Sequence, residues 1–258
     1  MKTLKIIKIG GHIIDDPKAL REFLIQFSNI KGPKILVHGG GKLATEMANQ
    51  MKVEVNMING RRVTDSQTLD IITMVYAGKI NKNIVAKLQQ YDCNALGFTG
   101  ADGNTIVAVK RPVKDVDYGY AGDIIIVNTS LLETLLNTNI IPVFCAITHD
   151  KQGQLLNTNA DTIASELAIA FATKYVTELY YCFEKNGVLK DVNDDNSVIK
   201  SINNKNYEEL LKQQIIKDGM LPKLTNCMNA IDHNVSKVCL GTSDMLFNPT
   251  AKYTTIEA

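Results

Sequence analysis

The chain has 258 residues, with 28 Lys and Arg against 27 Asp and Glu and a formal net charge of +1. That length suits one large α/β domain or two closely joined lobes, and so balanced a charge gives no basic field for nucleic acid and no acidic tail. Trp is absent and aromatic residues make up 6% of the chain, so the core must be mainly Ile, Leu, Val and Ala. Five scattered cysteines form no C-x-x-C pair, which argues against a disulfide framework or a zinc site. Most sit in apolar stretches, as buried reduced thiols do. Met1 leads straight into a strand with no signal-peptide pattern, and no apolar run reaches the ~20 residues of a membrane span. The expectation is a soluble, cytoplasmic protein with neither nucleic acid nor membrane as partner.

In chain order, Leu4 to Ile9 reads as a strand stopped by Gly10-Gly11. Asp16-Pro17 opens a helix with Leu20, Phe23, Leu24 and Phe27 on its apolar face. Ile35-Leu36-Val37 is a second strand, ended by His38-Gly39-Gly40-Gly41, with a helix following to about Met51. This alternation predicts a parallel sheet with helices on both faces. Residues 53–60 read as irregular or hairpin. A long helix runs from Asp65 to about Tyr91, with a break near Gly78. Short strands at Ala95–Phe98, Thr105–Lys110 and Ile124–Val127 predict antiparallel hairpins, not another parallel unit. Ser130 to Leu136 is helical and Ile140 to Ile147 a single strand. Asn159 caps a helix to about Ala172. The parallel logic resumes with a strand over 176–183, helices over 206–216 and 220–233, and a strand over 237–240. The predicted fold is α/β: an open, mostly parallel sheet sandwiched by helices, with β-hairpins in an N-terminal lobe over 1–175 and a C-terminal lobe over 176–258.

Five places carry candidate chemistry. The two glycine turns each follow the carboxyl end of a strand, where open α/β sheets bind ligands. There, backbone N–H groups and a helix N-terminus attract phosphate. Each is equally well a tight structural turn. Neither is a P-loop, since Leu43 follows Lys42, and the dinucleotide fingerprint is missing. Lys8, inside an apolar strand two residues before Gly10, is costly to bury alone. It reads as an anion-binding lysine, against the alternative of an exposed edge strand. In Asn59-Gly60-Arg61-Arg62-Val63-Thr64, an arginine suits bidentate grip on a carboxylate, or forms a solvated pair before a helix cap. Asn157, Asn159 and Asp161 leave an extended segment and enter a helix, where Asp161 can simply complement the dipole. Lys223, after Asp218-Gly219-Met220-Leu221-Pro222, falls near a helix N-terminus, the unfavourable end for a cation. That placement hints at an anionic partner.

In order and spacing these five motifs resemble those of the acetylglutamate kinases of the amino acid kinase family. The likeness spans essentially the whole chain, including Leu69-Asp70-Ile71-Ile72. The resemblance implies the amino acid kinase fold. It also implies ATP-dependent phosphorylation of the γ-carboxylate of N-acetyl-L-glutamate, a step of arginine biosynthesis. Lys8 and Lys223 would neutralise the transferring phosphoryl group, and Asp161 would orient them, with Asn159 supporting that network. Gly10, Gly11 and Gly39 would bind phosphate. Gly40, Gly41, Arg62 and Asn157 would hold the N-acyl-L-glutamate. The C-terminal lobe would take ATP, its Mg²⁺ held mainly by the nucleotide phosphates, with Glu184, Gly187, Gly219 and Met220 near the nucleotide. Glu184 stands where many relatives carry an Asp, so the nucleotide contacts there depart from the family pattern. The first strand starts by Leu4, leaving no room for the N-terminal helix of arginine-inhibited hexameric members, so a homodimer is expected. The rival readings are the same reaction on N-succinyl-L-glutamate and, from another class, a non-catalytic ligand sensor on this fold. Lys8, Asp161 and Lys223 all being present argues against the sensor.

Overall fold

A computed structural model describes residues 1–58, 60–216 and 220–257. The first half contains β1 (Thr3–Ile9), α1 (Gly11–Ile14), α2 (Pro17–Asn29), β2 (Lys34–His38), α3 (Gly41–Gln50), β3 (Met57–Ile58), β4 (Arg61–Arg62), α4 (Ser66–Thr73), α5 (Asn81–Gln90), β5 (Ala95–Phe98) and β6 (Ile106–Lys110). There follow β7 (Gly122–Val127), α6 (Ser130–Asn137), β8 (Ile141–Phe144), β9 (Ile147–His149), β10 (Leu155–Asn157), α7 (Ala160–Phe171) and β11 (Val176–Cys182). The chain closes with β12 (Ser201–Ile202), α8 (Asn204–Lys212), α9 (Met220–Asp232), β13 (Lys237–Gly241) and β14 (Thr254–Ile256).

Eight strands form the main sheet in the order β12-β14-β13-β11-β1-β2-β8-β5. All neighbours pair parallel except β13 and β14. A central parallel strand is covered on both faces, which is why β1 and β2 are almost continuously apolar and buried. Alternation puts Lys5, Ile7 and Ile9 on one face and Leu4, Ile6 and Lys8 on the other. Helix α7 packs on β1, β2 and β11, and against α9, on the Lys8 face. On the other face α2 packs against α5, and the buried Lys34 ammonium closes the C-terminal end of α2 by donating to the carbonyls of Phe27, Ser28 and Ile30. Asp16-Pro17 opens α2 as the sequence predicts, and Asp16 caps it by accepting from the N–H groups of Lys18 and Ala19.

A second sheet runs β10-β9-β6-β7, in which β6 and β7 form an antiparallel hairpin. Ala95–Phe98 joins the edge of the main sheet, parallel to β8, instead of a hairpin. The single strand expected over 140–147 is two strands in two sheets: the chain leaves the main sheet after Phe144 and enters the second at Ile147. The long helix is continuous, but Met74–Ile80 between α4 and α5 is a π-helical turn, buried at Val75, Tyr76 and Ile80. Such turns recur at functional sites. The helix expected over 206–216 instead begins at Asn204 and ends at Lys212, opened by a capping box of Asn203 and Asn206. All five cysteines are buried and unpaired. No helix among the described residues is long and apolar enough to cross a membrane.

Candidate active site

The carboxyl ends of β1, β2 and β11 lie side by side, with Lys8 in register with Val37 and Tyr181. Lys8 is therefore no edge-strand residue. It lies in the middle of the sheet and needs an anion. Asp161 supplies one: Lys8 Nζ is 2.8 Å from Asp161 Oδ1, and Lys223 Nζ is 2.5 Å from Asp161 Oδ2. The three side chains are 13%, 16% and 13% exposed, in the order Lys8, Asp161, Lys223. Burial alone would raise the Asp161 carboxyl, but the two ammonium groups overcome it and hold the group well below the usual carboxylate range.

Local structure aims each member. Asn159 caps α7, its Oδ1 accepting from Asp161 N–H at 2.7 Å and Thr162 N–H at 3.2 Å. Asp161 thus sits in the first helical turn, where the dipole favours its charge. The Tyr181 hydroxyl donates to the Asp161 carbonyl at 2.9 Å. Lys223 lies in the first turn of α9, one turn from Met220, with its Nζ 5.1 Å from the centre of the Tyr181 ring and 5.7 Å from that of Phe183. Two aromatic faces and one carboxylate offset the adverse helix end. Two cations share one anion, so the constellation carries an excess positive charge ready for phosphate. Gly10 closes β1 with its N–H on the Cys182 carbonyl, and a Cβ there would lie 3.9 Å from Lys8 Nζ. Gly11 begins α1. The Cys182 thiol beside Lys8 is no nucleophile, because burial pushes it up to about 12.

A second cluster forms around the other glycine turn. Gly39 packs on Ala160 at the start of α7, so the two clusters adjoin. Arg62 is 9% exposed, and its Nη2 donates to the Gly41 carbonyl at 3.0 Å and Thr45 Oγ1 at 2.8 Å. Its Nη1 is buried with no protein partner among the described residues. A half-satisfied guanidinium of this kind is an unused donor for a carboxylate. Asn157 ends β10, where its Nδ2 donates to Thr64 Oγ1 at 2.9 Å. Asn157 and Asn159 do not share a strand face, since the strand stops at Asn157 and Asn159 turns to cap α7.

The nucleotide-side residues are less gathered. Glu184 is exposed in the segment after β11. Gly187, at φ +152°, presses against Thr254, and a Cβ there would come within 2.6 Å of its hydroxyl. Gly219 lies outside the described residues, as do Asn59 and Asp218. Sequence reasoning missed the aromatic pair Tyr181 and Phe183, the Thr45 and Thr64 hydroxyls, and Tyr76, which abuts Gly40 and Gly41. The one available signal was that Tyr181 and Phe183 lie just before the departure at Glu184.

Two half-buried cations bridged by one carboxylate, beside glycine turns at the carboxyl ends of parallel strands, are an arrangement suited to phosphoryl transfer. The model of the amino acid kinase family matches residues 3–241. Acetylglutamate kinase of Cytophaga hutchinsonii is 52% identical over 247 residues, covering 95% of this chain and 94% of that protein. Acetylglutamate kinase of Phocaeicola vulgatus is 53% identical over 239 residues, covering 93% of each. The solved structure of smu.665 from Streptococcus mutans UA159 superposes with a TM-score of 0.79 at 25% identity, covering 99% of this chain and 98% of that one. The chain belongs to the amino acid kinase family, has its fold, and is a kinase.

Proposed function

We propose that this kinase transfers the γ-phosphoryl group of ATP to the γ-carboxylate of N-acetyl-L-glutamate, giving N-acetyl-L-glutamyl 5-phosphate and ADP in arginine biosynthesis. The observation that carries the reading is the Lys8–Asp161–Lys223 constellation beside a buried Arg62 with a free Nη1, in a chain half identical to named acetylglutamate kinases. The acceptor carboxylate is already ionised at neutral pH, so no general base is required. His38 fits that: burial lowers it to about 4, leaving a neutral imidazole. What remains is to bring two anions into line and stabilise the spread charge. Lys8 and Lys223 neutralise the transferring group, and Asp161 holds them at a fixed spacing. Gly11 and Gly39 donate backbone N–H groups to phosphate, and Gly10, its own N–H held by the Cys182 carbonyl, lines the phosphate site beside Lys8. Gly40, Gly41, Arg62 and Asn157 hold the acyl amino acid.

On this reading residues 1–175 hold the acceptor and the C-terminal part holds the nucleotide, with Glu184, Gly187, Gly219 and Met220 around it. Asp161 is fully engaged by two lysines, and no cluster of three His, Cys, Asp or Glu stands ready for an ion among the described residues. On the same reading Mg²⁺ arrives with the nucleotide and is held mainly by its phosphates. The proposal includes a cytoplasmic homodimer. A monomer by sedimentation velocity would refute that part.

The test is an ATP-dependent acyl-phosphate assay with hydroxylamine trapping, comparing N-acetyl-L-glutamate, N-succinyl-L-glutamate and L-glutamate. Hydroxamate from the acetyl substrate, lost in K8A and K223A, is the expected result. Preference for the succinyl substrate would reassign the acyl group. No hydroxamate from any of the three would overturn the reading.

A further inference from the structure

The neutral His38 has a neighbour that the phosphoryl-transfer reading leaves unexplained. Asn81 opens α5 directly after the π-helical turn and is 1% exposed. Its Nδ2 donates to His38 Nε2 at 3.1 Å and to the Val143 carbonyl at 2.9 Å. The other imidazole nitrogen, Nδ1, lies 2.8 Å from the Gly39 carbonyl. A carbonyl only accepts, so Nδ1 carries the proton and Nε2 is left to accept from the amide. One tautomer therefore satisfies the whole relay from β8 through Asn81 and His38 to the glycine turn.

The relay acts on one peptide group. With no cis bond among the described residues, the Gly39 carbonyl and the Gly40 N–H point in opposite directions in one plane. A glycine pair is otherwise free to flip that plane. Holding the carbonyl with His38 holds the N–H pointing the other way. His38 shares the sheet face of Lys34, whereas Lys8 and Asp161 occupy the opposite face. The Gly40 N–H is thereby directed to the side of the lysines, and among the described residues no backbone carbonyl accepts from it. The same turn is wedged from behind, because a Cβ on Gly40 would run into Ile80 Cδ1 and lie 3.1 Å from the Tyr76 ring. Asn81 sits here at a cost: its Oδ1 is buried with no partner among the described residues and presses so closely on Gly97 that a Cβ at that position would collide with it.

We propose that His38 and Asn81 are positioning residues that lock the Gly39–Gly40 peptide, so that the Gly40 N–H is presented to the anion passing between acceptor and donor. The proposal rests on the phosphoryl-transfer reading for the identity of that anion. It is tested with H38N, H38Q and N81A in the full chain. In H38N the new amide nitrogen overlays imidazole Nδ1 and keeps the donor to the Gly39 carbonyl. In H38Q it overlays Nε2 and loses that donor. Expected is a fall in kcat on the order of a hundredfold for H38Q and N81A, with H38N within about fivefold of wild type and the KM for ATP changed by less than about threefold in all, the scale of one misplaced donor. Chemical shifts of the Gly40 amide in ¹⁵N-glycine-labelled protein provide a readout independent of turnover: unmoved in H38N, displaced in H38Q and N81A. Equal kcat in folded H38N and H38Q, or an unmoved Gly40 resonance in H38Q, overturns the proposal. A K8A variant that turns over normally would instead overturn the phosphoryl-transfer reading, while the resonance still decides the role of the pair.

Discussion

Replacing Asp161 with Asn removes one negative charge from between two lysines and leaves the shape almost unchanged. Lys8 and Lys223 lie 2.8 and 2.5 Å from its two oxygens. Their ammonium groups are therefore no more than about 7.5 Å apart, and at an effective dielectric near 20 two such charges repel by at least about 2 kcal/mol. The charge-assisted hydrogen bond from Lys223 and the ion pair with Lys8 are also lost, and breaking a buried pair by removing one partner costs about 3–5 kcal/mol. The small exposure of both lysines lets their tips turn toward water and moves the total to the lower part of that range. D161N is expected to lose about 3 kcal/mol in urea unfolding at pH 7, with ATP restoring more stability than it gives wild type, because its phosphates supply the missing anion. The kcat is expected to fall by a factor on the order of 10²–10³. The sign with pH follows from the depressed carboxyl: its stabilisation is complete above the unfolded value near 4 and fades as pH drops below that value. Wild type should thus lose stability on acidification below about pH 4 more steeply than D161N. A folded D161N less than about 1 kcal/mol weaker than wild type, and unresponsive to ATP, would refute the view that the lysines form a charged, half-buried triad with Asp161.

Three other outcomes are expected. His38 is neutral when folded and titrates near 4, against about 6.5 unfolded, so the unfolded chain binds the extra proton between those values and stability falls on acidification, by about 3 kcal/mol in full. Urea midpoints from pH 7 to 4.5 should show that slope in wild type and lose it in H38N; identical slopes would contradict it. R62K, which lacks the fork of Arg62, should raise the acceptor KM by roughly 10–100-fold, the size of a lost bond to a charged group, and leave the KM for ATP unchanged. A rise in the ATP KM instead would move Arg62 to the nucleotide. G40A should cost about 1–3 kcal/mol by overpacking, and I80A should cost less in that background than in wild type, since it removes the colliding Cδ1. Additive losses would show that the wedge behind the glycine turn is not what G40A meets.

Strands β1, β2 and β11 were legible because strands buried on both faces need continuous apolar runs, and the turns at their ends need glycine. The Asn159 cap was legible because a cap is a local interaction between a side chain and the next two N–H groups. What was not legible depends on partners far along the chain. Ala95–Phe98 reads alike in a hairpin or at a parallel edge, and only pairing with β8 decides. The run from Ile140 to Ile147 conceals a change of sheet, because both sheets bury the same residue types. The relation of Lys8 to Asp161 was readable only as a shared motif set, and no spacing announces that Tyr181 and Phe183 flank Lys223. Asn81 is the plainest omission: a polar residue within a helical pattern looks solvent-facing until Val143 and His38 arrive from other strands.

The central claim is that the lysine-flanked site puts phosphate on a carboxylate oxygen. N-acetyl-L-glutamate labelled with ¹⁸O in its γ-carboxylate, incubated with ATP, Mg²⁺ and enzyme and trapped with hydroxylamine, tests it directly. Hydroxylamine attacks the acyl carbon, so the released phosphate keeps the oxygen that bridged it to carbon. The account predicts inorganic phosphate carrying one ¹⁸O, seen as an upfield isotope shift in ³¹P NMR, and none from K8A or K223A. Unlabelled phosphate, formed at the same rate with and without the acceptor, would mean that water and not the carboxylate receives the phosphoryl group, and would contradict it.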